Sequence, residues 1–588
     1  MATRLKPVDV VVVGMGWLGS IMARELGQAG LSVVGLERGG WHDTVPDWQS
    51  PSMHDELRYA VRNAMFQDMG VEPFTFRSNP SEEALPIRLL GSFQPGTSVG
   101  GGGVHWNGRT FRFVPSDFRT RSHYIEKYGA RAIPEELTVQ DWGISWEEIE
   151  PHYDRFEYLC GVGGKAGNLN GQIQPGGNPF EGPRSREYPL PPTEPAYAGA
   201  LFANAALELG YSPFSAPTAN MTRAYTNPEG LSLNACNFCG FCERFGCEHF
   251  AKASPQTVLL PKVFAQPNFE MRTHVHVTRV LLDNTGKRAT GVLYVDARGN
   301  EIEQPAEIVI LCAYSLNNVK LLLNSGIGKP YDPATGEGTV GRNYTYQTMS
   351  SVGVFYPESV NLNPYMGAGA LGVIVDDFNH DNFDHTGLGF VGGAYIAAWT
   401  NGGRPIEFHP TPPGTPRWGR DWKQAVRRHY NHTVVLEVEG NSMPTRANYL
   451  SADPTYRDAY GQPALRITFD FPESDLRMSR YVTDRTVEIA RLMGGEIIVP
   501  SYCSSPYSIV PYQTTHNTGG AVMGMDPATS VVNRYLQSWD VPNLFVQGAC
   551  AYPQRAGKDV TGTAAALAYW SAKAIREQYL KNPGRLMT

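Results

Sequence analysis

VDVVVVGMGWLGS, residues 8–20, decides the fold. Val8–Val13 is a β-branched apolar run interrupted only at Asp9, the pattern of a strand buried on both faces of a parallel sheet. It leads straight into Gly14, Gly16 and Gly19. The three glycines play different parts. Gly14 allows the tight turn, Gly16 lets the main chain approach a pyrophosphate, and Gly19 lets the helix expected over Ser20–Ala29 press on the strand. The pyrophosphate then rests on a helix N-terminus, where N–H groups lack partners. A second apolar strand, LSVVGLE, ends at Glu37, eighteen residues after Gly19, placing a carboxylate to accept from ribose hydroxyls and to disfavour a 2′-phosphate. Strand, glycines, helix, strand and terminal acid in this order predict a Rossmann dinucleotide site, for FAD or NAD alike.

At 588 residues the chain is long enough for several domains. A formal charge of −7, with no run of like charge, gives no basic face for nucleic acid. No apolar stretch approaches the roughly 20 residues of a membrane span. Met1–Lys6 leaves no room for a cleavable signal, so the chain is expected to carry neither anchor nor export signal. Residues 268–311 alternate strand patterns with turn signals and end in EIVILCA (307–313), followed by a helix at SLNNVKLLLNSG (315–326). Residues 345–505 are rich in aromatics and turn formers, as in HPTPPGTPRWG (409–419), without a βαβ rhythm. NLFVQGA (543–549) and a helix over 562–578 restore the strand and helix pattern. The expected class is α/β: a Rossmann-type domain assembled from 1–130, 226–345 and 506–588, with a cap-contacting segment at 131–225 and a second, α+β substrate domain at 346–505.

Cys236, Cys239, Cys242 and Cys247 stand together in NACNFCGFCERFGCEHF, while the other four cysteines are scattered. The spacing CxxCxxCxxxxC is one residue from the ferredoxin run whose thiolates close round an iron–sulfur cluster. Three such ligands suit a three-iron cluster and four a four-iron one, and the spacing does not choose between them. Zinc or two disulfides are the competing readings, although zinc sites usually come as two well-separated CxxC pairs.

GxGxxG with Glu37, VGGGGVHWNG (99–108), VGRN (340–343), HNTGGAVMG (516–524) and VPNLFVQGA before the last helix together resemble the glucose–methanol–choline (GMC) oxidoreductases, over nearly the whole chain. The cysteine cluster looks most like that of the iron–sulfur sugar dehydrogenases within that family. The resemblance implies FAD, with a substrate domain lying over the flavin and a secondary alcohol of a sugar, glycoside or sugar acid oxidised to a ketone. It also implies an iron–sulfur cluster, with 3Fe-4S favoured and 4Fe-4S left open, draining electrons to a multihaem cytochrome c subunit. The chain has no CxxCH haem motif of its own. A small subunit bearing the export signal, and a place on the periplasmic face of the bacterial inner membrane reached only through partners, are implied as well. A soluble flavin oxidase using oxygen is the alternative, against which the cysteine cluster argues.

Within that resemblance His516 opens the His-x-x-Gly-Gly segment and is the candidate general base, since imidazole titrates near neutral pH. The partner position, usually Asn or His, is here Asp559, in Asp559-Val560-Thr561-Gly562-Thr563. An acid there can orient His516, accept from a sugar hydroxyl, or stand apart in a displaced loop. His105 matches the position at which some relatives join imidazole to the flavin 8α-methyl group, whereas others keep the histidine and bind FAD without a bond. Gly101 and Gly102 let the main chain lie close to the flavin ring, and Asn107 is expected to hydrogen-bond near it. An ionised Asp559 disfavours an anionic substrate and tilts the expectation towards a neutral sugar or glycoside.

Overall fold

The computed structural model describes residues 2–48, 65–88, 93–364, 367–369, 371–400, 407–511 and 513–586. Val8–Val13 is the strand expected, and its continuous apolar pattern has a direct cause. Alternate side chains point to opposite faces, so Val11 and Val13 enter one apolar core while Val10 and Val12 enter another. All four are at most 4% exposed, each contributing about 1.5–3 kcal/mol on the usual transfer scale. The strand lies parallel between Val33–Leu36 and Glu301–Leu311, with Phe269–Arg272 beyond Val33–Leu36. Leu544–Val546 pairs parallel with Glu301–Leu311 on residues 309–311. Five strands drawn from three distant stretches of the sequence thus form the Rossmann layer.

Glu301–Leu311 does two jobs along its length. Residues 301–305 pair antiparallel with Ala289–Val295, and residues 306–311 pair parallel with the first strand. Pro305, which has no N–H to give, stands at the changeover opposite Gly291. A Cβ on Gly291 would sit 2.2 Å from the Gln304 carbonyl oxygen, so only glycine fits there.

The first helix spans Trp17–Gln28, three residues earlier than the sequence suggests. Gly16 is extended and serves as its N-cap, and Trp17 is buried edge-on against Trp106 and Phe156, which draws it into the helix. Gly19 therefore lies inside the helix, where a Cβ would meet the Gly14 carbonyl oxygen at 1.9 Å. Across from this helix packs Thr561–Ala574, which continues as a wider turn over Ile575–Tyr579.

A second, antiparallel sheet runs in the order Ile497–Ser501, Thr348–Phe355, Thr433–Gly440, Ala394–Thr400, Leu371–Val375, Phe214–Ser215. Its back face, including Val434, Leu436 and Val438, is covered by helices Tyr197–Glu208 and Glu473–Leu492. Its front face looks towards the Rossmann layer. A four-stranded sheet of Tyr449–Arg457, Pro463–Thr468, Phe74–Arg77 and Leu85–Pro86 ties the two regions together. Among the described residues no helix is long and apolar enough to cross a membrane.

Candidate active site

A cavity of about 450 Å³ runs from the first glycine turn to the front face of the second sheet. At one end stand Gly14, Gly16 and Glu37. Gly14 has φ +91° and ends the strand, as the tight turn requires. Glu37 is 5% exposed, and its two oxygens accept the Met15 and Gly39 N–H groups at 2.9 Å each. Burial raises its carboxyl above the ordinary value, opposed by those two N–H bonds. Each oxygen keeps a second lone pair for a hydroxyl.

The second glycine motif forms the next stretch of wall. Gly101, at φ +51°, lies so close to the first motif that a Cβ would be 3.2 Å from the Gly16 Cα. Gly102 lines the cavity, and a Cβ there would enter open space. His105, in the short helix Gly102–His105, is 6% exposed on the cavity wall. Burial, with Lys252 nearby, pushes its imidazole down to about 3, so the ring is neutral. Its Nε2 is buried without a hydrogen-bond partner among the described residues. Asn107 directs its side-chain carbonyl to the Arg109 N–H at 2.9 Å and lines the cavity beside His105.

At the far end three distant segments meet. Thr345, just after VGRN, exchanges main-chain bonds of 3.0 Å with Thr518 of HNTGG, and Gly519 donates to Ala549, which follows the last strand. Gly519 needs its φ of +76° and its bare Cα, because a Cβ would lie 1.9 Å from the Asn343 carbonyl oxygen. This fixes His516, whose Nδ1 is 2.8 Å from Gln347 Oε1 and 3.7 Å from Asp559 Oδ1. Gln347 Nε2 donates to Glu439 Oε2 at 2.9 Å, and the other Glu439 oxygen is ion-paired with Arg109.

The chain of partners sets a tautomer. A carboxylate paired with arginine only accepts, so the Gln347 amide presents NH₂ to Glu439 and its oxygen to His516. Nδ1 must then carry the proton, and Nε2 keeps its lone pair. Burial, reinforced by Arg555, pushes His516 down to about 3, which keeps the ring neutral and able to accept. Its side chain is 20% exposed, and the residue lines the cavity. Asp559 is 3% exposed beside it and accepts from the Tyr395 hydroxyl at 3.5 Å, so its loop is not displaced. Donor atoms of Glu439, His516 and Asp559 lie within 4.8 Å of one another, but Arg109 and Gln347 already engage both Glu439 oxygens.

The front face of Thr433–Gly440 brings Glu437 into the same cavity, two residues from Glu439 and thus on the same side of the strand. Burial raises the Glu437 carboxyl to about 8, with Arg109, 3.4 Å away, opposing and Glu439 reinforcing. The Arg109 guanidinium is stacked 3.7 Å from the centre of the Trp399 ring.

Cys236, Cys239, Cys242 and Cys247 lie on an irregular loop with positive φ at Phe238, Gly240 and Arg244, and none is in a disulfide. Main-chain N–H groups of Phe238 and Ala251 point at the sulfurs of Cys236 and Cys247, at 3.4 and 3.3 Å. Burial pushes the Cys236 thiol up to about 12 and Cys239 higher still, with Cys242 and Cys247 adding to both. Thiols so raised become thiolates only against a compensating positive charge, such as a metal supplies. The loop abuts the second glycine motif, Arg244 N–H donating to the His105 carbonyl at 2.7 Å.

The GMC oxidoreductase sequence pattern matches residues 219–349 and 444–568. The gluconate 2-dehydrogenase flavoprotein of Pantoea cypripedii is 48% identical over 595 aligned residues, covering 100% of this chain and 96% of that protein. The chain belongs to the GMC oxidoreductase family. It is an FAD-dependent oxidoreductase acting on CH–OH groups. The fructose dehydrogenase large subunit of Gluconobacter japonicus is 24% identical, covering 98% of this chain and 99% of that one. The solved formate oxidase of Aspergillus oryzae RIB40, whose structure concerns FAD modification, shares the fold at a TM-score of 0.58 and 15% identity, covering 99% and 100% of the two chains. The residues present suit FAD: an orphaned His105 Nε2 on the wall, the open space at Gly102, and a buried Glu37 beside the first turn.

Gln347, Glu437 and Glu439 were not singled out by the sequence. Glu437 and Glu439 alternate with apolar residues in TVVLEVEG, a pattern that reads equally well as a sheet face in water. Gln347 carries no local signal at all.

Proposed function

We propose that this GMC oxidoreductase oxidises a secondary alcohol of a sugar, glycoside or sugar acid to a ketone, and that electrons leave through an iron–sulfur cluster on the Cys236–Cys247 loop to a cytochrome c partner. The observation that carries the reading is the relay from Arg109 through Glu439 and Gln347 to His516, which leaves Nε2 as a fixed acceptor at the cavity end. FAD held along the cavity supplies the hydride acceptor. His516 Nε2 takes the hydroxyl proton, and Asp559, 3.7 Å from Nδ1, stabilises the imidazolium that results. Asn107 and the bare main chain at Gly101 and Gly102 would hold the flavin, and His105 Nε2 is the atom available for a covalent bond to it. The names of the gluconate and fructose dehydrogenases support a sugar-type substrate and a multisubunit assembly. Export with a signal-bearing partner to the periplasmic face of the inner membrane is part of the same reading.

The wall chemistry favours an uncharged polyol over an anion. Glu243, Glu437 and Glu439 line the cavity. Arg109 is paired with two of them, and Arg244 is paired with Glu407 at 2.8 Å, so a substrate carboxylate meets cations that are already engaged. Hydroxyl groups, by contrast, donate to carboxylates in charge-assisted bonds.

The test is anaerobic stopped-flow reduction of the bound flavin by glycosides and sugar acids, in wild type and His516→Ala. The variant should retain flavin and reduce it about 10²–10⁴-fold more slowly. A loss below about tenfold, or no reduction by any polyol, rejects the reading. Oxygen consumed as fast as a cytochrome c or dye acceptor is reduced would favour the oxidase alternative.

A further inference from the structure

Lys252 is 1% exposed, and its ammonium donates to three main-chain carbonyls: Trp106 at 2.6 Å, Cys242 at 2.9 Å and Phe245 at 2.8 Å. Three acceptors on one nitrogen require three N–H groups, so the side chain is the charged –NH₃⁺ form. Trp106 lies between His105 and Asn107 in the second glycine motif, whereas Cys242 and Phe245 belong to the cysteine loop. One buried cation therefore ties the flavin-facing wall to the loop of thiols.

The two segments are in close contact around it. A Cβ on Gly369 would lie 3.2 Å from Cys242 Sγ and 2.9 Å from the Asn107 carbonyl oxygen, which places both against the same point. Asn220, itself 1% exposed, donates to that carbonyl at 2.8 Å and accepts from Cys242 Sγ at 3.5 Å. No described carboxylate forms an ion pair with Lys252; burial pushes its ammonium below the ordinary value, and the groups that would oppose this are first the sulfurs of Cys242, Cys247 and Cys239, once they are thiolates, and then Glu243. A buried ammonium is costly unless negative charge lies near it. The charge this cage is built to meet is on the cysteine loop.

We propose that Lys252 is a positioning residue and fixed counter-charge for the iron–sulfur cluster: it clamps the cysteine loop against the flavin-facing motif and favours the cluster's reduced state. The proposal rests on the cluster assigned above. Oxidation of one substrate molecule releases two electrons, which pass through the cluster one at a time; each reduction adds one negative charge to the cluster, while no bond forms or breaks at Lys252 and its protons stay on Nζ. Removing the cation disfavours that added charge.

The experiment compares wild type, Lys252→Met and Lys252→Arg as full-length chains purified without oxygen. Iron, acid-labile sulfide and FAD per chain are measured, and the cluster is titrated potentiometrically by electron paramagnetic resonance. Lys252→Met should keep FAD and shift the reduced-to-oxidised ratio at a fixed potential about tenfold towards oxidised, which is about 59 mV for one electron. Lys252→Arg, which keeps the charge, should lie within threefold of wild type and also tests the proposal if Lys252→Met fails to bind FAD. An iron-loaded Lys252→Met within threefold of wild type, or an Arg variant shifted by tenfold, overturns the proposal. Wild-type protein with FAD but neither iron nor sulfide overturns the cluster itself.

Discussion

Replacing Gln347 by Met isolates the tautomer argument, because the side chain keeps its length but can no longer accept from His516 or donate to Glu439. Gln347 is 0% exposed, so water does not take over either bond. The bond to Nδ1, 2.8 Å long, is worth about 1–1.5 kcal/mol net, and losing that bias lets the proton move to Nε2. That alone shifts the tautomer equilibrium by a factor of about 5–12. The unsatisfied Glu439 oxygen adds about 1.5–3 kcal/mol of strain at the site, some of which is relieved by moving His516. The rate of flavin reduction by saturating substrate should therefore fall about 10- to 100-fold, with FAD content unchanged. Gln347→Glu should recover most of the loss, since its carboxyl, kept protonated beside Glu439, still donates to one neighbour and accepts from the other. Stopped-flow flavin absorbance measures both variants. A Gln347→Met enzyme within twofold of wild type would refute the claim that this amide sets the tautomer.

Acid precipitation should leave flavin with the polypeptide and His105→Ala should release it; free FAD from wild type would leave only non-covalent binding. With His516 held near 3 by burial, its stabilising contribution is complete above 6.5 and is lost as pH falls from there towards 3; flavin reduction should accordingly stay flat from about pH 5 to 7, and a midpoint near 6.5 in the rate profile would contradict it. Methyl glucoside should exceed gluconate in kcat/KM, and above about pH 8, where Glu437 is ionised, Glu437→Gln should narrow the ratio by about tenfold through KM; a wild-type preference for gluconate would overturn the charge argument.

The Rossmann layer was legible because its signals are local: a strand buried on both faces, glycines at fixed offsets, and an acid closing the next strand. His516, Asp559 and His105 were legible only through family motifs, since no spacing links residues 105, 516 and 559. Their neighbours were not legible. Glu439 is buried at 0% exposure in a strand whose charges look solvent-facing, and what holds it there is Arg109, 330 residues away in sequence. The first helix begins at Trp17 because an aromatic cluster from two other segments receives that side chain, which no local propensity encodes. Long-range partners decided each of these cases.

The strand Leu544–Val546 completes the layer begun by Val8–Val13 by pairing with Glu301–Leu311. Such contacts close only after nearly the whole chain has been synthesised, and distant pairings of this kind form slowly. A nascent chain can shape the glycine turn early, but the segment that carries His516 docks between residues 343–345 and the turn after that late strand. Assembly order thus separates nucleotide capture from chemistry: a ribosome-bound or truncated chain can shape the first turn and yet lack its base.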